Sequence, residues 1–249
     1  VVDHRAGRSY LFEATPDMPA QLRRLRSALP GSAPALADDV PDGVFLTHAH
    51  IGHYTGLMYF GKEAMGADRV PVYAMPQMAR FLRTHGPWSQ LVSEENIALW
   101  ELEADRPEAL TPDFSVVPFR VPHRDEFSET VGYRLQGPQR SALFIPDIDK
   151  WERWDRDIVE EIRNVDIAFL DATFHSDDEL PGRDMAQIPH PFVVESMARF
   201  AELPAEARAK IVFIHFNHTN PLLDSGSQET AEVERAGFRV ARTGDVFRL

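Results

Sequence analysis

The chain has 249 residues, 43% of them hydrophobic, and a formal net charge of −13. That length suits one large domain or two small ones, and the charge argues against general nucleic-acid binding, which needs a basic face. Cysteine is absent, which excludes disulfides, thiolate metal sites and a cysteine nucleophile.

Residues 9–13 alternate as a strand does, and Thr15-Pro16-Asp17 ends them. Leu22, Leu25 and Leu29 share one side of an amphipathic helix over 19–29. Residues 30–42, rich in Pro, Ala, Ser and Asp, read as a loop. An apolar strand over 43–46 leads into Thr47-His48-Ala49-His50-Ile51-Gly52-His53, and 55–65 has helical apolar spacing. A strand over 70–75 precedes a helix opened by Pro76, running to about Thr84. Residues 88–102 are mixed: helix or loop, then a strand. Strands follow over 114–121, 130–135 and 141–145, the last two pairing as a hairpin through Gly137-Pro138. Beyond them come a helix over 157–164, a strand over 166–170, a helix over 192–203, a strand over 210–214 and a helix over 228–236. Residues 238–249 read as a closing strand pair around Gly244. No apolar run approaches the roughly 18 residues of a membrane-spanning helix, so no membrane partner is expected. A cytoplasmic location is expected; export stays open because the chain starts at Val1 without Met.

Three of the ten histidines fall within six residues, where a buried strand hands over to a helix. Neutral imidazole suits zinc, iron, copper and nickel. His48 and His50 can converge on one ion from a turn. His53 joins them only if the turn winds into the helix start. Further ligands have to come from strand ends downstream. His123 closes Val121-Pro122-His123. Asp147 follows an apolar strand, with Asp149 and Asp171 as rival carboxylates. His215 ends another strand, with His218 three residues on. His190 lies in a Pro-His-Pro loop before a helix, and Trp151 and Trp154 flank the Asp147 loop, as pocket wall or as packing.

Strand, then His-x-His-x-x-His, then helix resembles the metallo-β-lactamase superfamily, whose signature is His-x-His-x-Asp-His. Gly52 stands where that Asp would be. With Pro87-Trp88-Ser89-Gln90-Leu91-Val92, the chain resembles the pyrroloquinoline quinone biosynthesis protein B branch over nearly its whole length. The resemblance implies an α/β fold, a four-layer αββα sandwich of two mixed sheets, as a single domain over 1–249. It implies His48, His50 and His123 on a first ion, and His53, Asp147 and His215 on a second, with Asp147 bridging. Gly52 then leaves the second ion one carboxylate short. Asp171-Ala172-Thr173-Phe174 followed by His190 is loosely similar to ribonuclease Z-like phosphodiesterases, in which a histidine assists leaving-group protonation; Asp171 takes the place of a Glu there.

The expected activity is hydrolysis by a metal-activated water, with zinc, manganese or iron in one or two sites. The expected substrate is a small molecule, a phosphodiester, which is anionic, or an ester or lactone, and a homodimer is compatible with the chain. An iron-dependent oxygenase of cofactor biosynthesis and a non-catalytic metal carrier are the rivals.

Overall fold

The computed structural model describes residues 1–28 and 40–249, so the loop expected over 30–42 lies almost wholly outside the described residues. The chain forms two compact units, Val1–Arg106 with Asp125–Thr130, and Pro107–Arg124 with Val131–Leu249.

The first unit holds β1 (Val2–Asp3), β2 (Arg8–Phe12), α1 (Met18–Ala28), β3 (Gly43–Phe45), α2 (Ile51–Tyr54), β4 (Val70–Ala74), α3 (Pro76–Thr84), α4 (Trp88–Ser93) and β5 (Ile97–Glu101). Its sheet runs β1-β2-β3-β4-β5. β1 is antiparallel to β2, and the rest are parallel. Parallel neighbours need crossovers, and the helices between these strands supply them. Val44, Leu46, Val72, Leu57, Met78 and Leu82 are fully buried in one cluster. Phe12, Phe45 and Tyr73 stack across three adjacent strands, at 4.9 and 4.4 Å between centroids. The mixed stretch 88–102 resolves into α4 and β5.

The helix expected over 55–65 is a correction. A 3-10 turn covers Thr55–Phe60 and stops at Gly61, whose backbone is extended. Gly56 explains the tight winding. It lies against the 14–15 corner, where an added Cβ would come within 2.3 Å of the Thr15 carbonyl oxygen. Its amide donates to the Ala14 carbonyl at 2.8 Å, and the Ala14 amide donates to the His53 carbonyl at 2.9 Å. Those contacts tie the strand β2 exit to the histidine turn.

The second unit holds β6 (Glu108–Thr111), β7 (Phe114–Arg120), β8 (Val131–Gln136), β9 (Ser141–Ile145), α5 (Ile158–Arg163), β10 (Ile167–Asp171), α6 (Val193–Arg199), α7 (Ala205–Arg208), β11 (Ile211–Ile214), α8 (Gln228–Arg235) and β12 (Arg239–Val240). Its order is β12-β11-β10-β9-β8-β7-β6. β6 to β9 form an antiparallel meander that contains the expected hairpin. β9 to β12 are parallel, joined through helices. Asp157 caps α5 by accepting from the Val159 amide. Leu143, Ile145, Leu170, Ile211 and Phe213 are completely buried.

The closing strand pair is also corrected: only Arg239–Val240 pairs. The tail packs by side chains instead. Phe247 meets Phe169 edge-on at 4.9 Å and takes the Arg239 guanidinium over its ring at 4.7 Å.

Because backbone oxygens rather than flexible side chains face Gly56, Gly56→Ala should destabilise the protein by about 1–3 kcal/mol, the usual cost of overpacking. Denaturant unfolding reads this out; a loss below about 0.5 kcal/mol would show that the corner yields.

Candidate metal centre

In the first unit, β2 and β3 are parallel neighbours, so their carboxyl ends lie side by side. Glu13 follows β2 and Thr47-His48 follow β3. Glu13 is buried and takes a left-handed φ of 79°. Such a conformation costs a non-glycine residue of order 1 kcal/mol, and it persists where surrounding contacts enforce it. Here one carboxylate oxygen accepts the Thr47 amide at 2.9 Å and the other meets His53 Nδ1 at 2.8 Å. His50 is the last extended residue before α2, and the turn does wind into the helix. The His53 ring therefore comes 4.2 Å from that of His48.

Each of the three imidazoles has one nitrogen held by an oxygen of the chain. His48 Nδ1 lies 2.9 Å from Thr47 Oγ1, His50 Nε2 lies 2.9 Å from Glu126 Oε2, and His53 Nδ1 is on Glu13. Such ties fix ring orientation and tautomer in metal sites. The opposite nitrogens of His48 and His50, Nε2 and Nδ1, converge to 2.7 Å with ring planes at 85°. Segment 125–130 braces this turn. Ser128 Oγ accepts the Ala49 amide at 2.9 Å, and the Glu129 carboxylate accepts the Gln77 and Met78 amides at the start of α3.

Gly52 sits in α2 with no positive φ, and a Cβ there would meet nothing within 4 Å. The missing carboxylate is therefore not imposed by backbone strain, contrary to the usual reason for a glycine in a turn.

In the second unit, the carboxyl ends of β9, β10 and β11 present Asp147, Asp171 and His215, the edge at which α/β sheets bind ligands. Asp147 keeps company with imidazoles: its oxygens lie 3.3 Å from His123 Nε2 and 3.0 Å from His190 Nδ1. The rival carboxylates are occupied differently. Asp149 takes His123 Nδ1 at 3.2 Å and the Arg153 guanidinium at 2.8 Å. Asp171, wholly buried, accepts the Ile148 amide, the Thr173 amide and the Thr173 hydroxyl, and holds His190 Nδ1 at 2.9 Å. Thr173 Oγ1 also lies 2.9 Å from His215 Nδ1, and His215 has a φ of 63°. Asp147, Asp171 and His190 each bring a ligand-type atom within 4.8 Å of the others.

His218 is exposed, in the turn that follows His215 by three residues. Trp151 and Trp154 are buried packing residues, their indoles donating to Ser196 Oγ and the Arg120 carbonyl. Sequence reasoning singled out the histidines but not Glu13, Glu126 or Thr173. It considered Asp149 only as a rival ligand, and Asp171 as a rival ligand or as the acidic position of the ribonuclease Z-like pattern.

Electrostatics couple the buried groups. Burial favours the neutral form of Asp171, but the facing His190 outweighs it and holds the carboxyl down at about 2. Burial likewise disfavours a charged His190, yet Asp171 and Asp147 push its pKa up to about 10. A donor set of imidazole and carboxylate, held by buried oxygens and lacking thiolate, fits zinc, manganese or iron.

A histidine whose folded pKa is raised contributes stability that is fully present below its unfolded pKa and is lost as pH rises through the folded value. Metal-free protein should therefore lose thermal stability between pH 6.5 and about 10, and His190→Gln should flatten that slope. Melting curves in chelator across this range test it; an unchanged slope in the variant would contradict the coupling.

A family model described as Beta-lactamase superfamily domain matches residues 8–216. Coenzyme PQQ synthesis protein B of Nitrosococcus oceani is 27% identical over 263 residues, covering 94% of this chain and 82% of that protein. The crystal structure of Zn(2+)-bound PqqB from Methylobacterium extorquens matches with a TM-score of 0.80 at 22% identity, covering 100% of this chain and 86% of that one. Human tRNase Z, short form, matches with a TM-score of 0.55 at 17% identity, covering 85% and 83%. The two mixed sheets with their helices are the metallo-β-lactamase fold, and the chain belongs to the β-lactamase superfamily domain family, with PqqB among the proteins it resembles.

Proposed function

We propose that this protein is a metal-dependent hydrolase that acts on a phosphodiester or on an ester or lactone. The observation that carries the reading is the convergence of His48 Nε2 and His50 Nδ1 to 2.7 Å while their far nitrogens are held by Thr47 and Glu126. The ligands are His48, His50 and His123 for one ion, and His53, Asp147 and His215 for another, with Asp147 shared. Divalent ions, when bound, would supply a water acidified towards neutral pH and positive charge at the oxygen of the carbonyl or phosphoryl group whose carbon or phosphorus is attacked. The chain's own residues do the rest. Glu13, Thr47, Glu126 and Asp149 orient imidazoles. Asp171 holds the Nδ1 proton of His190 and keeps the ring charged, and the role of His190 is to pass its Nε2 proton to the leaving group. Gly52 provides no carboxylate, so the second ion is the weaker and exchanges more readily.

Relatives named as coenzyme PQQ synthesis proteins favour a place in cofactor synthesis, and the second reading for that setting is an iron-dependent oxygenase. Oxygen separates the two, since hydrolysis consumes none.

Protein purified without chelator should contain at least one equivalent of divalent metal by elemental analysis. His50→Ala should lose most of it and His123→Ala should bind it much more weakly. Turnover of p-nitrophenyl phosphodiesters or esters should be equal with and without oxygen. Wild-type metal content in both variants would remove the ligand assignment; activity that requires oxygen would favour the oxygenase.

A further inference from the structure

The stretch Pro87-Trp88-Ser89-Gln90-Leu91-Val92 stands out in the sequence, and the candidate metal centre uses none of it. In the first unit Pro87, Trp88, Gln90 and Leu91 line a cavity of about 110 Å³ that is partly open to solvent. Met58 of the 3-10 turn and Asn96, which precedes β5, line it too. No lining residue belongs to a group able to hold a metal ion. An apolar cavity of roughly 150 Å³ takes benzene, so this one suits a small ring or a short alkyl chain.

Two features of the lining say what such a ligand carries. The first is an orphaned acceptor. Asn96 is only 7% exposed. Its amide donates to the Leu91 carbonyl at 2.9 Å, its carbonyl accepts the Val70 amide at 3.1 Å, and its Nδ2 donates to the Ala67 carbonyl at 3.0 Å. Oδ1 is buried and has no partner. Buried acceptors are nearly always satisfied, so an orphan on a residue of a cavity wall marks a place for a donor. The second feature is charge. Glu63 and Glu94 line the cavity, and no lysine, arginine or histidine does. Lys62 and Gln90 donate to Glu94 at 2.6 and 3.1 Å, which balances one of the two carboxylates. The cations flanking these segments are paired elsewhere, Arg69 with Glu95 and Arg83 with Glu101, and His85 stacks on Phe81. The lining keeps a net negative charge.

The indole of Trp88 is held edge-on against Tyr54 at 4.9 Å, and an indole face attracts cations. Met58 is the one large exposed apolar side chain of the lining, too little surface for a protein partner. We propose that this cavity binds a small primary amine in its ammonium form, carried on a short apolar or aromatic body. The N–H groups meet Asn96 Oδ1 and the carboxylates, and the body lies against Trp88, Leu91 and Met58. The proposal does not rest on the hydrolase reading.

Benzylammonium, benzyl alcohol and benzoate share a ring and differ in the charge of the head. Each is titrated into the isotope-labelled, metal-loaded full chain, and the four tryptophan indole N–H signals are followed, with Trp88→Phe identifying that of Trp88. Benzylammonium should move the Trp88 signal saturably and bind about tenfold or more tightly than benzyl alcohol, the scale of a hydrogen bond to a charged group. Benzoate should leave that signal in place. Glu63→Gln, at an exposed position, should weaken benzylammonium about two- to fivefold and leave benzyl alcohol unchanged. A soaked crystal should place the ammonium nitrogen within hydrogen-bond distance of Asn96 Oδ1. A lysine side chain has the same head, so the acetylated methylamide of lysine is titrated as well; tighter binding of it than of benzylammonium would overturn the small-molecule assignment. Equal affinity for the three heads, an unmoved Trp88 signal, a Glu63→Gln variant that binds as wild type does, or water alone on Asn96 Oδ1 would overturn the proposal.

Discussion

An imidazole has two nitrogens, and a chain that offers one to an ion has to hold the other. The histidine turn depends on that constraint. Glu13 meets it most fully: a single buried carboxylate accepts the Thr47 amide and holds His53 Nδ1. It can do so because β2 and β3 are parallel neighbours, so their exits lie side by side. The left-handed backbone at Glu13 turns the side chain into that gap, and the close approach of Gly56 to the 14–15 corner keeps it there. Fold, packing and chemistry meet at this residue, far more than at any exposed ion pair, whose net worth is about 0–1 kcal/mol.

The second unit uses the same logic with a different centre. Asp171 collects two amides, a hydroxyl and an imidazole at the carboxyl end of β10. A carboxylate so thoroughly hydrogen-bonded is a fixed charge around which its neighbours are set. Thr173 extends that order to His215, whose backbone, like that of Glu13, is left-handed. Asp147, by contrast, faces imidazole nitrogens from two segments. The three acidic residues look alike in sequence, and what distinguishes them is the company each keeps.

Much of this architecture was legible beforehand, and the reasons are physical. The His-x-His-x-x-His spacing, the apolar strands and the β8–β9 hairpin are local patterns, readable from a few residues. The partners of the histidines are not local. Glu13 is 40 residues from His53 and Glu126 is 76 residues from His50, so only the folded chain brings them together. The two misread elements fail for related reasons. The helical pattern after Thr55 was real, but contact with a distant corner tightened it into a 3-10 turn. The tail after Val240 has strand-like composition, yet it meets the sheet through Phe247 rather than through its backbone.

We propose that the turn after β3 is a metal-binding element whose ligand nitrogens are chosen by the oxygens behind them, and anomalous diffraction from crystals of the zinc-loaded protein locates the ion against those rings. Zinc is expected on His48 Nε2 and His50 Nδ1, at about 2.0–2.1 Å, with Glu126 still on His50 Nε2. Zinc bound away from these two rings, or held through His48 Nδ1 or His50 Nε2, would contradict it.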